Sequence, residues 1–148
     1  LNTTAAAVAA DPATLATSTV FSSLIGGDNV IAYCFAEVAG YSSIGNFVGN
    51  GSADGPFIYT GFRPAWVVVK NTSNARAWLT SDSTINSFNV VNKYLSLDQT
   101  AAEDTYAWAD FNSNGFKIRN TSASINTSSD VYLYMAFAEF PFKYSNAR

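Results

Sequence analysis

The chain has 148 residues, the length of one ordinary domain with one core, and it carries 48% apolar and only 13% charged residues with a formal charge of -3. The few basic residues are scattered, which excludes a phosphate-binding surface, and no apolar run approaches the roughly 20 residues needed to cross a bilayer. Nucleic acid and membrane insertion are therefore set aside, and Asn, Ser and Thr must supply the solubility that charges do not.

The opening residues 1–17 are rich in Ala and Thr but lack the basic start and continuous apolar stretch of a signal peptide. Short apolar or alternating segments then follow, bounded by Gly, Asn, Asp and Ser. Residues 30–38, 57–60, 65–70, 77–80, 105–111, 116–119 and 131–140 read as strands. The one cysteine, Cys34, lies in the first and is expected as a small buried hydrophobe, so no internal disulfide forms. Residues 49–56, Gly-Asn-Gly-Ser-Ala-Asp-Gly-Pro, form a loop that no helix or central strand accepts. Phe62-Arg63-Pro64 precedes the strong apolar strand 65–70, where the aromatic either faces a ligand or closes a corner of the core. Residues 71–74 read as a hairpin turn, and residues 100–104 allow a short helical turn. Asn112-Ser113-Asn114-Gly115 reads as a tight hairpin, its Asn-Gly pair being tolerant of positive φ.

Many short strands, frequent turns and no sustained helical period predict an all-β chain: an antiparallel β-sandwich, with a jelly-roll as one way of connecting it.

An internal echo suggests duplication. Leu1-Asn2-Thr3-Thr4-Ala5-Ala6 matches Leu97-Asp98-Gln99-Thr100-Ala101-Ala102, and Tyr33-Cys34-Phe35-Ala36-Glu37 matches Met135-Ala136-Phe137-Ala138-Glu139, at a spacing of roughly 100 residues. The expected organisation is a partial upstream repeat, 1–42, supplying strands to a complete β-sandwich repeat, 43–148. With Leu1 in first place, this suggests a piece or matured product of a longer protein. Strands lacking neighbours would leave open edges, completed within the chain or by a neighbouring subunit.

The absence of histidine removes the usual general base and the serine triad, and one cysteine leaves no zinc set. No cofactor and no metal are expected. Glu37 and Glu139, at equivalent ends of the echoing segments, are the one carboxylate pair that suggests glycoside cleavage. Each lies two residues from a Phe and shares its face, which predicts partial burial against an Arg or a backbone amide, with Arg63 and Arg119 as partners. Asn-x-Ser/Thr sequons at Asn2, Asn50, Asn71, Asn120 and Asn126 suggest a secreted glycoprotein, but such triplets arise by chance in this composition, and the lack of disulfides argues the other way.

Ile31-Ala32-Tyr33-Cys34-Phe35-Ala36-Glu37, the loop 49–56, and Tyr59-Thr60-Gly61-Phe62-Arg63-Pro64-Ala65-Trp66-Val67-Val68-Val69-Lys70 together resemble a repeated domain of bacteriophage tail-fibre and virion structural proteins. Asn92-Lys93-Tyr94-Leu95, Ser113-Asn114-Gly115-Phe116-Lys117-Ile118-Arg119 and the ending 134–143 extend the resemblance over nearly the whole chain. It implies a non-catalytic component of the virion surface, present in many copies, with other virion proteins as partners and a homo-oligomeric state. Host attachment through a surface glycan or protein is the first expectation, capsid decoration the second, and a glycan depolymerase the least supported. Loops on rigid β scaffolds commonly carry function, so Asn50, Ser52, Asp54, Phe62 and Arg63 are the candidate receptor contacts.

Overall fold

In β3 (Pro64–Asn71), Val67, Val68 and Val69 are each at most 1% exposed, so consecutive side chains on opposite faces are covered, as the unbroken apolar run predicts. The computed structural model describes residues 33–140 and places β3 inside a single antiparallel sheet. The other strands are β1 (Ser42–Val48), β2 (Phe57–Tyr59), β4 (Trp78–Asp82), β5 (Val91–Ser96), β6 (Asp104–Asn112), β7 (Gly115–Ile118) and β8 (Val131–Ala138). Their spatial order is β1-β8-β3-β4-β5-β6-β7-β2. The middle five form a meander, while β8 returns between β1 and β3, and β2 pairs with β7. Only the two residue pairs Leu79–Ser96 and Thr80–Leu95 join β4 to β5, and there one half of the sheet folds over the other.

The halves meet through aromatic rings. Phe47 of β1 stacks on Tyr132 of β8 at 5.2 Å and meets Phe116 of β7 edge-on at 6.4 Å, and Phe116 meets Tyr134 at 5.6 Å. Trp108, fully buried, satisfies its indole by donating Nε1–H to Ser81 Oγ at 2.9 Å. Buried aromatics of this kind supply most of the apolar area removed from water. The sheet is thus all-β, antiparallel and nearly closed, with β1 and β2 as its two edges among the described residues.

Two strands escaped the sequence pattern. In β1 the inward positions Ser43 and Gly45 are small because the Tyr134 ring fills the space above them: its hydroxyl lies 3.1 Å from Ser43 Oγ, and a Cβ on Gly45 would come 3.1 Å from the ring. In β5 a register shift between Val91 and Lys93 spoils the alternation of the sequence.

Other expectations are corrected. Residues 30–32 lie outside the described residues. From 33 to 37 there is no strand, and Val38 makes only an isolated bridge to Ser42. Cys34 is exposed, not buried, because its segment leads into the turn at Val38–Ser42 and does not enter the sheet. Residues 100–103 form no helical turn, and β6 begins at Asp104. The hairpin at 112–115 is present, with Asn112 paired to Gly115, but neither Asn114 nor Gly115 has positive φ. Gly115 is required for space instead, since a Cβ there would sit 2.1 Å from Ile58 O on β2.

Of the echoing segments, Met135–Ala138 lies in β8 while residues 33–37 form no strand. The proposed division at residue 42 rests on residues that are mostly outside the described part.

Candidate functional site

Alternating strand direction sends the connections 49–56, 72–77, 97–103 and 119–130 to one end of the sheet, and 60–63, 83–90 and 113–114 to the other. The first end carries the candidate site, and its loops are fixed by side-chain amides.

Asn126 is fully buried at the centre of this end. Its Oδ1 accepts Asn50 N–H at 2.8 Å, and its Nδ2 donates to Ser52 O at 2.7 Å, Asn120 O at 2.9 Å and Asn50 Oδ1 at 3.1 Å. One neutral group thereby fastens loop 49–56 to loop 119–130 without the desolvation cost of a buried charge. Asn50 Oδ1 in turn accepts Ser52 N–H, forming an Asx turn, and Asn50 Nδ2 donates to Asp54 O. Gly49 passes so close to loop 119–130 that a Cβ would lie 2.2 Å from Thr127 O.

Asn71, also fully buried, repeats the device at the end of β3. Its Oδ1 accepts the amides of Ser73 and Asn74, and its Nδ2 donates to Ala123 O and Asp130 Oδ2, tying loop 72–77 to loop 119–130. The turn expected at 71–74 is therefore an Asx turn opening the longer β3–β4 connection. Tyr132 OH completes the network, accepting Thr127 N–H at 2.7 Å and donating to Ala123 O at 3.1 Å.

These contacts explain the sequons. Asn50, Asn71 and Asn120 head turns in which a backbone amide two residues on bonds to their Oδ1, so Asn-x-Ser is turn chemistry here. Asn71 and Asn126 are fully buried, and Asn2 lies outside the described residues.

Asn50, Ser52 and Asp54 are exposed at this end. Asp54 pairs with Lys117 Nζ at 2.8 Å, and this hydrogen bond and charge hold its carboxyl below the ordinary value. Lys117 Nζ also donates to Gly55 O at 2.9 Å. Phe62 and Arg63 are elsewhere, beyond the far end of β2. Phe62 is 8% exposed and belongs to the core, so its ring closes a corner and does not face a ligand. Arg63 donates to Phe111 O and pairs with Glu139 at 2.9 Å.

Each glutamate is tied to an Arg or a backbone amide as the sequence predicts, but both are exposed and not partly buried, because residues 33–37 form no strand and Glu139 lies just past the end of β8. Glu139 has Arg63, and Glu37 Oε1 accepts Ile44 N–H at 2.9 Å and Ser43 Oγ–H at 3.3 Å. Arg119 pairs with Asp110, not with either glutamate.

The same end holds a cleft of about 350 Å³ that the sequence reading missed. Arg76, Tyr94, Ser96, Gln99, Tyr106 and Ser124 are among its lining residues. Tyr94 and Tyr106 meet edge to face at 4.7 Å. Tyr94 OH donates to Asp104 Oδ2 at 2.9 Å; burial, then this bond, push its phenol up to about 12. Burial also raises Tyr106. The only signal in the sequence was the pair of tyrosines 12 residues apart on strands whose pairing was not foreseen.

A family model described as a domain of unknown function, DUF7483, matches residues 1–141, and the chain belongs to that family. No curated protein and no solved structure matches it.

Proposed function

We propose that this DUF7483 chain is a non-catalytic surface module of a bacteriophage particle whose stapled loop end attaches the particle to its host. The resemblance to virion proteins supplies the setting. The observation that carries the reading is the concentration of loops at one end, held by the fully buried Asn71 and Asn126 while Asn50, Ser52 and Asp54 stay exposed. A recognition surface gains from being ordered before contact, because less conformational freedom is lost on binding. Partners are other virion proteins and a host surface glycan or protein, and many copies offset weak single contacts.

Catalysis is disfavoured because the chain has no histidine and because Glu37 and Glu139 are each engaged in a structural contact. Host polysaccharide incubated with the chain is expected to yield no new reducing ends.

Capsid decoration is the second reading. It draws on β1 and β2, the edges of the sheet among the described residues, and on the exposed aromatics Phe57, Tyr59 and Phe88, which suit subunit contacts and a homo-oligomer.

The purified chain should adhere to host cells and slow adsorption of intact particles. Ala53→Arg, which removes no hydrogen bond, should weaken adhesion at unchanged melting temperature. Binding to empty capsids with a gain in their heat resistance, and no adhesion to cells, would instead support decoration.

A further inference from the structure

We propose that the cleft between β4, β5, β6 and the loops 72–77, 97–103 and 119–130 binds an acidic sugar residue, with its carboxylate on Arg76 and its ring against the Tyr94–Tyr106 pair. The inference deepens the attachment reading and rests on it for its biological setting.

Charge distribution is the first ground. Among the described residues, Arg63, Lys93, Lys117 and Arg119 each face a carboxylate, and Lys70 donates to Arg76 O at 2.6 Å. Arg76 is exposed, lines the cleft, and its guanidinium has neither an ion pair nor a hydrogen bond among those residues. A guanidinium presents a planar fork of donors matched to a carboxylate. In a chain with so few charges, one unpaired fork in a cleft selects an anion.

The acidic groups nearby are bound to other partners through at least one oxygen each, Asp98 Oδ2 alone being buried with no hydrogen bond among the described residues. Asp104 accepts Tyr94 OH and Thr105 N–H, and Asp98 Oδ1 accepts Trp78 N–H while its charge acts on Lys70.

The walls supply the second ground. A sugar ring offers one face of C–H bonds and a rim of hydroxyls, which suits an aromatic surface with its negative π face beside polar side chains. Tyr94 is braced by Asp104 and by Tyr106, so the aromatic wall is fixed before a ligand arrives. The side chains of Ser96, Gln99 and Ser124 make no hydrogen bond among the described residues and remain available to hydroxyls. The volume, about 350 Å³, falls within the range of small-ligand sites.

Loop 119–130 contributes Ser124 to the cleft and Asn126 to the staple on loop 49–56. Cleft and exposed loop therefore form one continuous face.

The test is calorimetric titration of the full chain with oligogalacturonate, its methyl ester and a neutral galacto-oligosaccharide. Oligogalacturonate should bind, with affinity falling as salt rises, and Arg76→Ala should weaken it at least about 10-fold while Arg76→Lys keeps part of it. The ester should bind about as weakly to the wild type as the acid does to Arg76→Ala. Because Arg76 is exposed, the melting temperature should not change. Equal binding of acid and ester, undiminished binding by Arg76→Ala, or no binding of oligogalacturonate would overturn the proposal. Adhesion to host cells that ignores both Arg76→Ala and competing oligogalacturonate sinks the acidic-sugar site and leaves attachment standing. Arg76-dependent oligogalacturonate binding by a chain that does not adhere to cells keeps the site and removes attachment.

Discussion

Asn50 and Asn126, 76 residues apart in sequence, exchange two hydrogen bonds, backbone amide to side-chain oxygen in one direction and side-chain amide to side-chain oxygen in the other. Because the pair joins loops 49–56 and 119–130, the order of that end of the sheet depends on which atoms of residue 126 can donate.

Asn126→Asp preserves the acceptor for Asn50 N–H but turns an oxygen toward Asn50 Oδ1, Ser52 O and Asn120 O. Facing the buried residue 126 side chain with three acceptors and no donor should cost about 3 kcal/mol, measured by urea unfolding. The new carboxyl is stabilised in its protonated form, so its folded pKa lies above its unfolded one. The lost stability should therefore be partly restored below the unfolded carboxyl pKa and vanish again as pH rises. An equal loss at acid and neutral pH would contradict this donor argument.

Tyr94 gives an alkaline signature. Its folded pKa of about 12 lies above the ordinary value of 10.0, through burial first and the Asp104 bond second. Its contribution is complete below the unfolded pKa and is lost as pH climbs through the folded one. Unfolding free energy should fall between pH 10 and 12, and Tyr94→Phe should flatten that fall, leaving a residue from Tyr106. Phenolate absorbance followed across the same interval checks the assignment.

Asp54 gives an acid signature of smaller size. Lys117 holds its carboxyl below the ordinary value of 3.8, so the contribution is present above the unfolded pKa and disappears as pH falls through the folded one. Asp54→Asn should make the melting temperature slightly less sensitive to pH below 3.8, with no difference from wild type in that sensitivity at pH 5 to 7.

Gly115→Ala tests the spatial reading of the β6–β7 hairpin. A Cβ 2.1 Å from Ile58 O forces β2 away from β7 and should cost about 2 kcal/mol. Amide exchange should then accelerate in β2 and β7 before it does in β3 and β8. A variant as stable as wild type would contradict the spatial reading, since neither a close approach nor a positive φ would tolerate the added Cβ without cost.

The fold class was legible because β3, β6, β7 and β8 carry apolar runs whose pattern matches their burial. β1 was not, since its inward positions are reserved for a tyrosine ring from β8, a tertiary fact that no local pattern contains. The apolar segment around Cys34 misled for the converse reason: it has the composition of a strand but pairs with no strand among the described residues, making only the isolated bridge from Val38 to Ser42. Loop 49–56 was visible through its glycines, yet its companion across the end, Asn126, looked like one more sequon. The cleft was hidden because its walls come from three strands and three loops brought together only by the folding of β5 against β4 and β6. Arg76 stands out only after each other described cation has been matched to its partner.

The staples at this end are amides, which neither titrate in the ordinary pH range nor depend on attraction between ions. Acid, alkali and brine that would loosen a scaffold braced by ion pairs leave Asn126 holding the same amide and carbonyl atoms. Affinity at Arg76 is then free to vary with the salinity of the surroundings while the contour that presents it does not. A particle carrying such a module could release from its contact in concentrated salt and take hold again on dilution, with no refolding in between.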